Sequence, residues 1–265
     1  MDHSRDYPPG VPPLGTVDFP MIGEALRLGW CDLRRAPGYA MIFSGAYVVS
    51  GWAMLWITQV TGQTYWLIFA AVGFPLIGPF AAVGFYEVSH RLNHGWPLTR
   101  AAIFGVILHQ SRRQLPSICV IIIMVFLFWF FLAHMIFALF LGLSTMTNIS
   151  TSYEVFLTQE GLSMLIVGGA VGAGFALLLY AITVVSLPML LDREVDFVSA
   201  MIASVSVVTG NPAVMLTWGL FIAILTFVAM LPAFLGLFLA LPVLGHATWH
   251  LYVLIKKAGE AGPPG

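Results

Sequence analysis

From residue 214 to residue 255 the chain carries no Asp, Glu, Lys or Arg. As a single helix this run of about 42 residues would reach about 63 Å at 1.5 Å per residue. That is about twice the 30 Å thickness of a bilayer's hydrocarbon core. The run must therefore fold back on itself, and its turn is expected over residues 230–236, around Pro232. Other long apolar runs lie near residues 39–57, 65–86, 117–143 and 162–191. With the folded-back pair over 214–255, they predict six spanning helices. Only 9% of residues are charged while 59% are hydrophobic. A water-soluble surface needs roughly a quarter of its residues charged. Barrel strands would alternate polar and apolar residues, which these runs do not do.

Placement of charge orients the helices. Arg27, Arg34 and Arg35 precede the first run, and Arg91, Arg100, Arg112 and Arg113 lie between the second and third. Arg193 follows the fourth, and Lys256 and Lys257 close the last. The loops of the other side, near residues 60–64, 144–160 and Pro232, contain no Lys or Arg. The positive-inside rule then puts both termini in the cytoplasm. Residues 1–20, rich in proline, and residues 258–265 read as disordered tails around one membrane domain over 21–257. No secretory signal, lipidation motif or retention motif is evident. Cys31 and Cys119 match no metal spacing and are expected as free thiols.

A threefold pattern overlies the spans. Segments 22–37, 98–116 and 197–212 each end at a proline (Pro37, Pro116, Pro212), a residue suited to the first turn of the next helix. In the first segment Ile22, Ala25, Leu26, Gly29, Trp30 and Leu33 form one face, with Arg27, Asp32, Arg34 and Arg35 away from it. That is the spacing of an interfacial amphipathic helix. The third segment lacks basic residues and is expected to be more buried. The exit helices share prolines near their basic ends: Pro75 and Pro79, Pro188, and Pro242. Proline removes a helical hydrogen bond and favours a kink. The architecture predicted is all-α, as three repeats of interfacial helix plus helical hairpin. Gly168 and Gly172 form a small-xxx-small surface, expected to pack within the chain.

Candidate chemistry is sparse. His246 and His250, four residues apart, share a helical face, and two imidazoles so placed can ligate a metal or haem. Two ligands are too few, and the available partners are Asp192, Glu87, His90, His94, Glu194 and Asp196. The bland alternative has His246 in a polar contact between helices and His250 in an interfacial belt with Trp249 and Tyr252. His134 lies deep in an aromatic run, where an ionisable side chain is a functional candidate or a neutral donor to a neighbouring helix. Glu87 and His90 are spaced like a bundle metal motif, but that motif needs a second carboxylate set from other helices, so a solvated cytoplasmic helix end is expected. Asn148-Ile-Ser150 matches the glycosylation triplet, which has meaning only in a secreted eukaryotic context. No carboxylate lies mid-membrane for coupled transport, and no nucleotide, esterase or metalloprotease motif is present.

Residues 73–89 (GFPLIGPFAAVGFYEVS), 131–148, 187–197 and 241–252 closely resemble a family of proteobacterial integral membrane proteins catalogued as a domain of unknown function. The resemblance runs over most of the chain after about Phe19. It implies residence in the cytoplasmic (inner) membrane. Some members are labelled cytochrome c oxidase subunit I. Such a subunit needs more spans and a set of membrane-embedded histidines for its haems and copper, which this chain lacks. The expectation is a non-catalytic accessory protein with no cofactor, meeting the lipid bilayer and a membrane-protein partner, with a respiratory complex the associational guess. It is not expected to bind nucleic acid. A small-solute permease gated by proline-kinked helices, and a metal- or haem-handling protein, are the alternatives.

Overall fold

The computed structural model describes residues 7–62, 67–142 and 153–262. Among them the fold is all-α: α1 Phe19–Arg35, α2 Pro37–Thr61, α3 Leu67–His94, α4 Arg100–Gln110, α5 Leu115–Leu141, α6 Gln159–Thr183, α7 Ser186–Asp192, α8 Phe197–Gly210, α9 Pro212–Met230 and α10 Leu237–Ala261. Five stretches are long and apolar enough to cross a membrane: α2, α5, α6 continued through α7, α9 and α10. Proline stands in the first turn of α2, α5 and α9, where its missing N–H has no helical partner to lose.

The long apolar run folds back where its length requires. α9 ends at Met230 and α10 begins at Leu237, with Ala233 and Phe234 at positive φ between them. The indole N–H of Trp52 in α2 donates to the Ala233 carbonyl at 2.7 Å, and the Phe234 ring lies against Gly51. The turn is thus held by the first spanning helix.

The fourth span is broken rather than merely kinked. α6 stops at Thr183 and α7 starts at Ser186, ahead of Pro188. Ser204 of α8 causes the break. Its hydroxyl donates to the Ala181 carbonyl at 2.7 Å and accepts from the Val185 N–H at 3.1 Å, groups that would otherwise bond each other. α3 and α10 continue as helix through Pro79 and Pro242, both buried. The side chain of Pro75 and the Asn148-Ile-Ser150 triplet lie outside the described residues.

The main core lies toward the ends of the helices that carry the basic residues. Met189, Leu191, Met215, Trp218, Trp249 and Tyr252 are among its fully buried side chains. Away from it, Phe128, Phe131, Leu139, Ile166, Leu220 and Phe227 are more than half exposed. So much contiguous apolar surface marks a face that lipid solvates. Gly168 and Gly172 of α6 do face another helix of the chain. A Cβ at Gly168 would meet Ile136, and one at Gly172 would lie 3.1 Å from the Trp129 indole, both in α5.

The proline-rich segment expected to be disordered is a docked strap from residue 7 onward. The Glu194 N–H donates to the Pro8 carbonyl and the Gly10 N–H to the Glu194 carbonyl. The Gly15 N–H donates to Ile255 at 3.0 Å, and the Val17 N–H to the Asn211 side chain at 2.9 Å. Glycines make this fit possible: a Cβ at Gly15 would lie 2.6 Å from the Ala258 backbone, and one at Gly259 would run into the Pro13 carbonyl. Proline and glycine here give a chain with little entropy to lose and room for close approach, not a free tail. Helix α10 likewise continues to Ala261, into the residues expected as a second tail.

Candidate functional site

The polar side chains of α10 converge on its neighbours one after another. α10 carries His246, Thr248, His250, Tyr252 and Lys256 over three turns. α1 comes closest: a Cβ at Gly29 would stand 2.8 Å from both the Ala247 nitrogen and the Val243 carbonyl. Ala25, Gly29 and Asp32 form the buried stripe of α1. That close approach brings Asp32 over His250.

His250 Nε2–H donates to Asp32 Oδ2 at 2.7 Å, with both side chains only 4% exposed. Asp32 was expected on the solvent face of α1 and His250 in an interfacial belt. Both expectations are corrected: the small residues Ala25 and Gly29, rather than the bulky apolar ones, choose the buried face. Trp30, on the same expected apolar face as Ala25 and Gly29, is 45% exposed. Trp249 and Tyr252, expected in the belt, are fully buried.

His246 is buried against α3. Its Nδ1 lies 2.8 Å from the Ser89 hydroxyl and 3.1 Å from the Phe85 carbonyl. Either Ser89 donates to a bare Nδ1 or Nδ1–H donates to Phe85; both hold the ring on α3. Room for this contact comes from Gly245, where a Cβ would lie 2.7 Å from the Phe85 ring. Asp192, expected opposite His246, instead accepts from the Tyr252 hydroxyl at 2.7 Å and from Lys256 at 2.8 Å. It thereby ties α7 to the next turns of α10.

The end of α3 is not the solvated helix end expected. Glu87 is fully buried and accepts from Arg91 Nε at 2.6 Å. His90 packs edge-on against Trp249 with ring centroids 5.4 Å apart, and its other face meets His94 and Trp96. His134 is exposed, and its Nδ1–H donates to the Phe130 carbonyl of its own helix at 2.8 Å. It therefore reaches neither a neighbouring helix nor any of the other histidines.

The histidine pair is thus split between two partners. His246 goes to α3 and His250 to α1, while Asp192 and Glu87 each serve a different cation or hydroxyl. Among the described residues no three His, Cys, Asp or Glu side chains group as metal ligands. Cys31 and Cys119 are free thiols. Chemically, the arrangement can clamp α10 to α1, α3 and α7 through buried hydrogen-bonded pairs, each of which satisfies groups that would be costly to bury alone.

Sequence reasoning missed Asp32, Ser89 and Ser204. Ala25 and Gly29 form a small-xxx-small signal that points at the α1 face, and Asp32 follows on that face. Nothing local marks Ser89 or Ser204, since their partners lie far along the chain.

No curated protein and no solved structure is matched by the chain. The family match is narrower than the resemblance drawn from residue 19 onward, and leaves residues 241–252 outside it. It bears out the membrane-protein family of unknown function named on that resemblance: residues 67–192, from α3 through α7, match the family described as predicted integral membrane protein (DUF2189).

Proposed function

We propose that the chain is a non-catalytic, partner-binding protein of a bacterial inner membrane, with six spans and both termini in the cytoplasm. α3 is the sixth span, since residues 67–86 contain no charged side chain over a helix that continues to His94. The three hairpins are then α2 with α3, α5 with α6–α7, and α9 with α10, each preceded by a short helix. Orientation rests on the basic residues, which among the described residues gather at the ends of the helices that carry the strap and α1.

One observation carries the functional reading. His246, His250, Asp32 and Asp192, which could have joined a reacting centre, are instead paired with groups on other helices, and Glu87 is taken up by Arg91 of its own helix. A protein built this way offers a rigid framework and surfaces rather than a pocket of converging reactive groups. Its partner is then another membrane protein, and a respiratory complex is the class that the resemblance suggests. The test is native purification of the full chain, with mass spectrometry of co-purifying proteins, metal analysis and a haem spectrum. A membrane protein recovered in stoichiometric amount is the expected result. Stoichiometric metal that disappears in His246→Ala, or a haem band, would replace this reading with a metal- or haem-handling one.

A further inference from the structure

A second feature of the basic end lies away from α10. Where α1 passes into α2 and the α3–α4 link passes into α4, a cleft of about 280 Å³ opens between Arg35, Ala36, Pro37, Tyr39, Leu98 and Arg100. The Tyr39 hydroxyl donates to the Leu98 carbonyl at 3.1 Å and fixes the two walls relative to each other. Arg35 and Arg100 are exposed, and among the described residues neither has an ion-pair partner. By contrast Arg27, Arg91, Arg113 and Arg193 are all paired with carboxylates. The cleft is lined by no Asp or Glu.

The surroundings add to the positive field. α2 and α4 both begin at this cleft, neither has an acidic residue in its first turn, and α2 has no side-chain cap. The first turn of α2, which has no side-chain cap, adds partial positive charge near the cleft, whereas Thr99 caps the start of α4. Above Gly38 the space is open, since a Cβ there would meet nothing within 4 Å. On the apolar side the cleft is bounded by Ile42, 45% exposed on the first turns of a membrane span. Two unpaired guanidiniums next to an apolar, lipid-facing residue match a headgroup with its acyl chains beside it.

We propose that this cleft binds the phosphate of an anionic phospholipid, with Arg35 and Arg100 on the phosphate oxygens and the acyl chains running down α2 past Ile42. The lipid source rests on α2 crossing the bilayer with its Pro37 end at headgroup depth. The same chemistry would suit free phosphate, so the test separates the two. The full chain in neutral detergent is titrated with dioleoyl phosphatidylglycerol, dioleoyl phosphatidylcholine or inorganic phosphate, and bound ligand is read by native mass spectrometry. Micelles impose no sidedness, so an inverted topology would leave this result unchanged and would show only in reporter fusions.

One phosphatidylglycerol held more tightly than phosphatidylcholine is expected. Arg35→Ala with Arg100→Ala should weaken it about twenty-five-fold, from about fivefold per arginine. Gly38→Asp, which puts a carboxylate into the open cleft, should also displace it while leaving both arginines in place. Arg112→Ala, which removes an exposed and unpaired arginine that does not line the cleft, should leave it unchanged. Equal binding of the two lipids overturns the proposal, as does an unaffected Arg35/Arg100 double variant or an equal loss in Arg112→Ala. Inorganic phosphate binding as tightly as phosphatidylglycerol overturns the lipid as its source.

Discussion

Helices α6 and α10 are both 25 residues long and both apolar enough to span a membrane, yet they live in different surroundings. Across its most apolar window α10 is 61% buried within the protein, whereas the α6–α7 span is 6% buried. Mean hydropathy runs the other way, 1.5 for α10 against 2.2 for α6–α7. The more apolar helix is the one left to lipid. In a bilayer the apolar surface of a helix gains little by leaving lipid for protein, so hydrophobicity alone does not choose which helix is central. Polar side chains with partners do. α10 carries a polar group on nearly every turn of its basic half: His246 reaches α3, His250 reaches α1, and Tyr252 and Lys256 both reach Asp192 of α7. α6 contacts α5 through glycines and shows bulky side chains elsewhere.

Breaking the clamp should therefore cost far more than trimming the lipid face. The largest effect is expected for Asp32→Ala, which strands His250 in a buried position and should destabilise the fold by about 3 kcal/mol or more. Unfolding in mixed detergent micelles would measure it. Next comes Gly29→Ala, whose new methyl would sit 2.8 Å from the α10 backbone. Neither backbone can yield as a side-chain end can, and a loss of about 1–3 kcal/mol should appear in the same assay.

The Asp196 N-cap of α8 should matter less and should show a pH signature. Its bonds from Ser199, first the side chain and then the backbone, hold the carboxyl below its ordinary value. A lowered folded-state value stabilises the protein above the unfolded carboxylate range, and that contribution fades as the pH falls through the folded value. Asp196→Asn should keep the cap at neutral pH and flatten that part of the acid profile in a pH series of unfolding curves. Smallest of all is Ile166→Ala on α6. That side chain is 73% exposed, and its truncation should shift stability by no more than about 0.5 kcal/mol. A large loss there would show that α6 is covered by another protein surface.

Much of the framework was legible in the chain itself. The fold-back near Pro232 follows from length alone, and prolines mark the starts of α2, α5 and α9. Local pattern failed wherever a distant partner decides the outcome. Asp32 and His250 are separated by 218 positions, Ser89 and His246 by 157. An amphipathic reading of α1 puts Asp32 off the apolar face because it groups Ala25 and Gly29 with the bulky residues, while contact between close-packed helices is set by the small ones. A kink is expected at Pro188, whereas the span breaks several positions earlier, where Ser204 inserts into the hydrogen-bond ladder. The proline-rich start reads as disordered by composition, and its docking depends on Gly15 and Gly259 meeting backbones far away in sequence.

The clamp on α10 is tested most directly by a double-mutant cycle on Asp32 and His250. Stability in detergent would be measured for the parent, Asp32→Ala, His250→Ala and the double variant. A coupling energy of about 2 kcal/mol, with the double variant losing far less than the sum of the singles, is the predicted result. Additive losses with no coupling would contradict it, and would show that the Asp32–His250 pair does not hold α10 to α1.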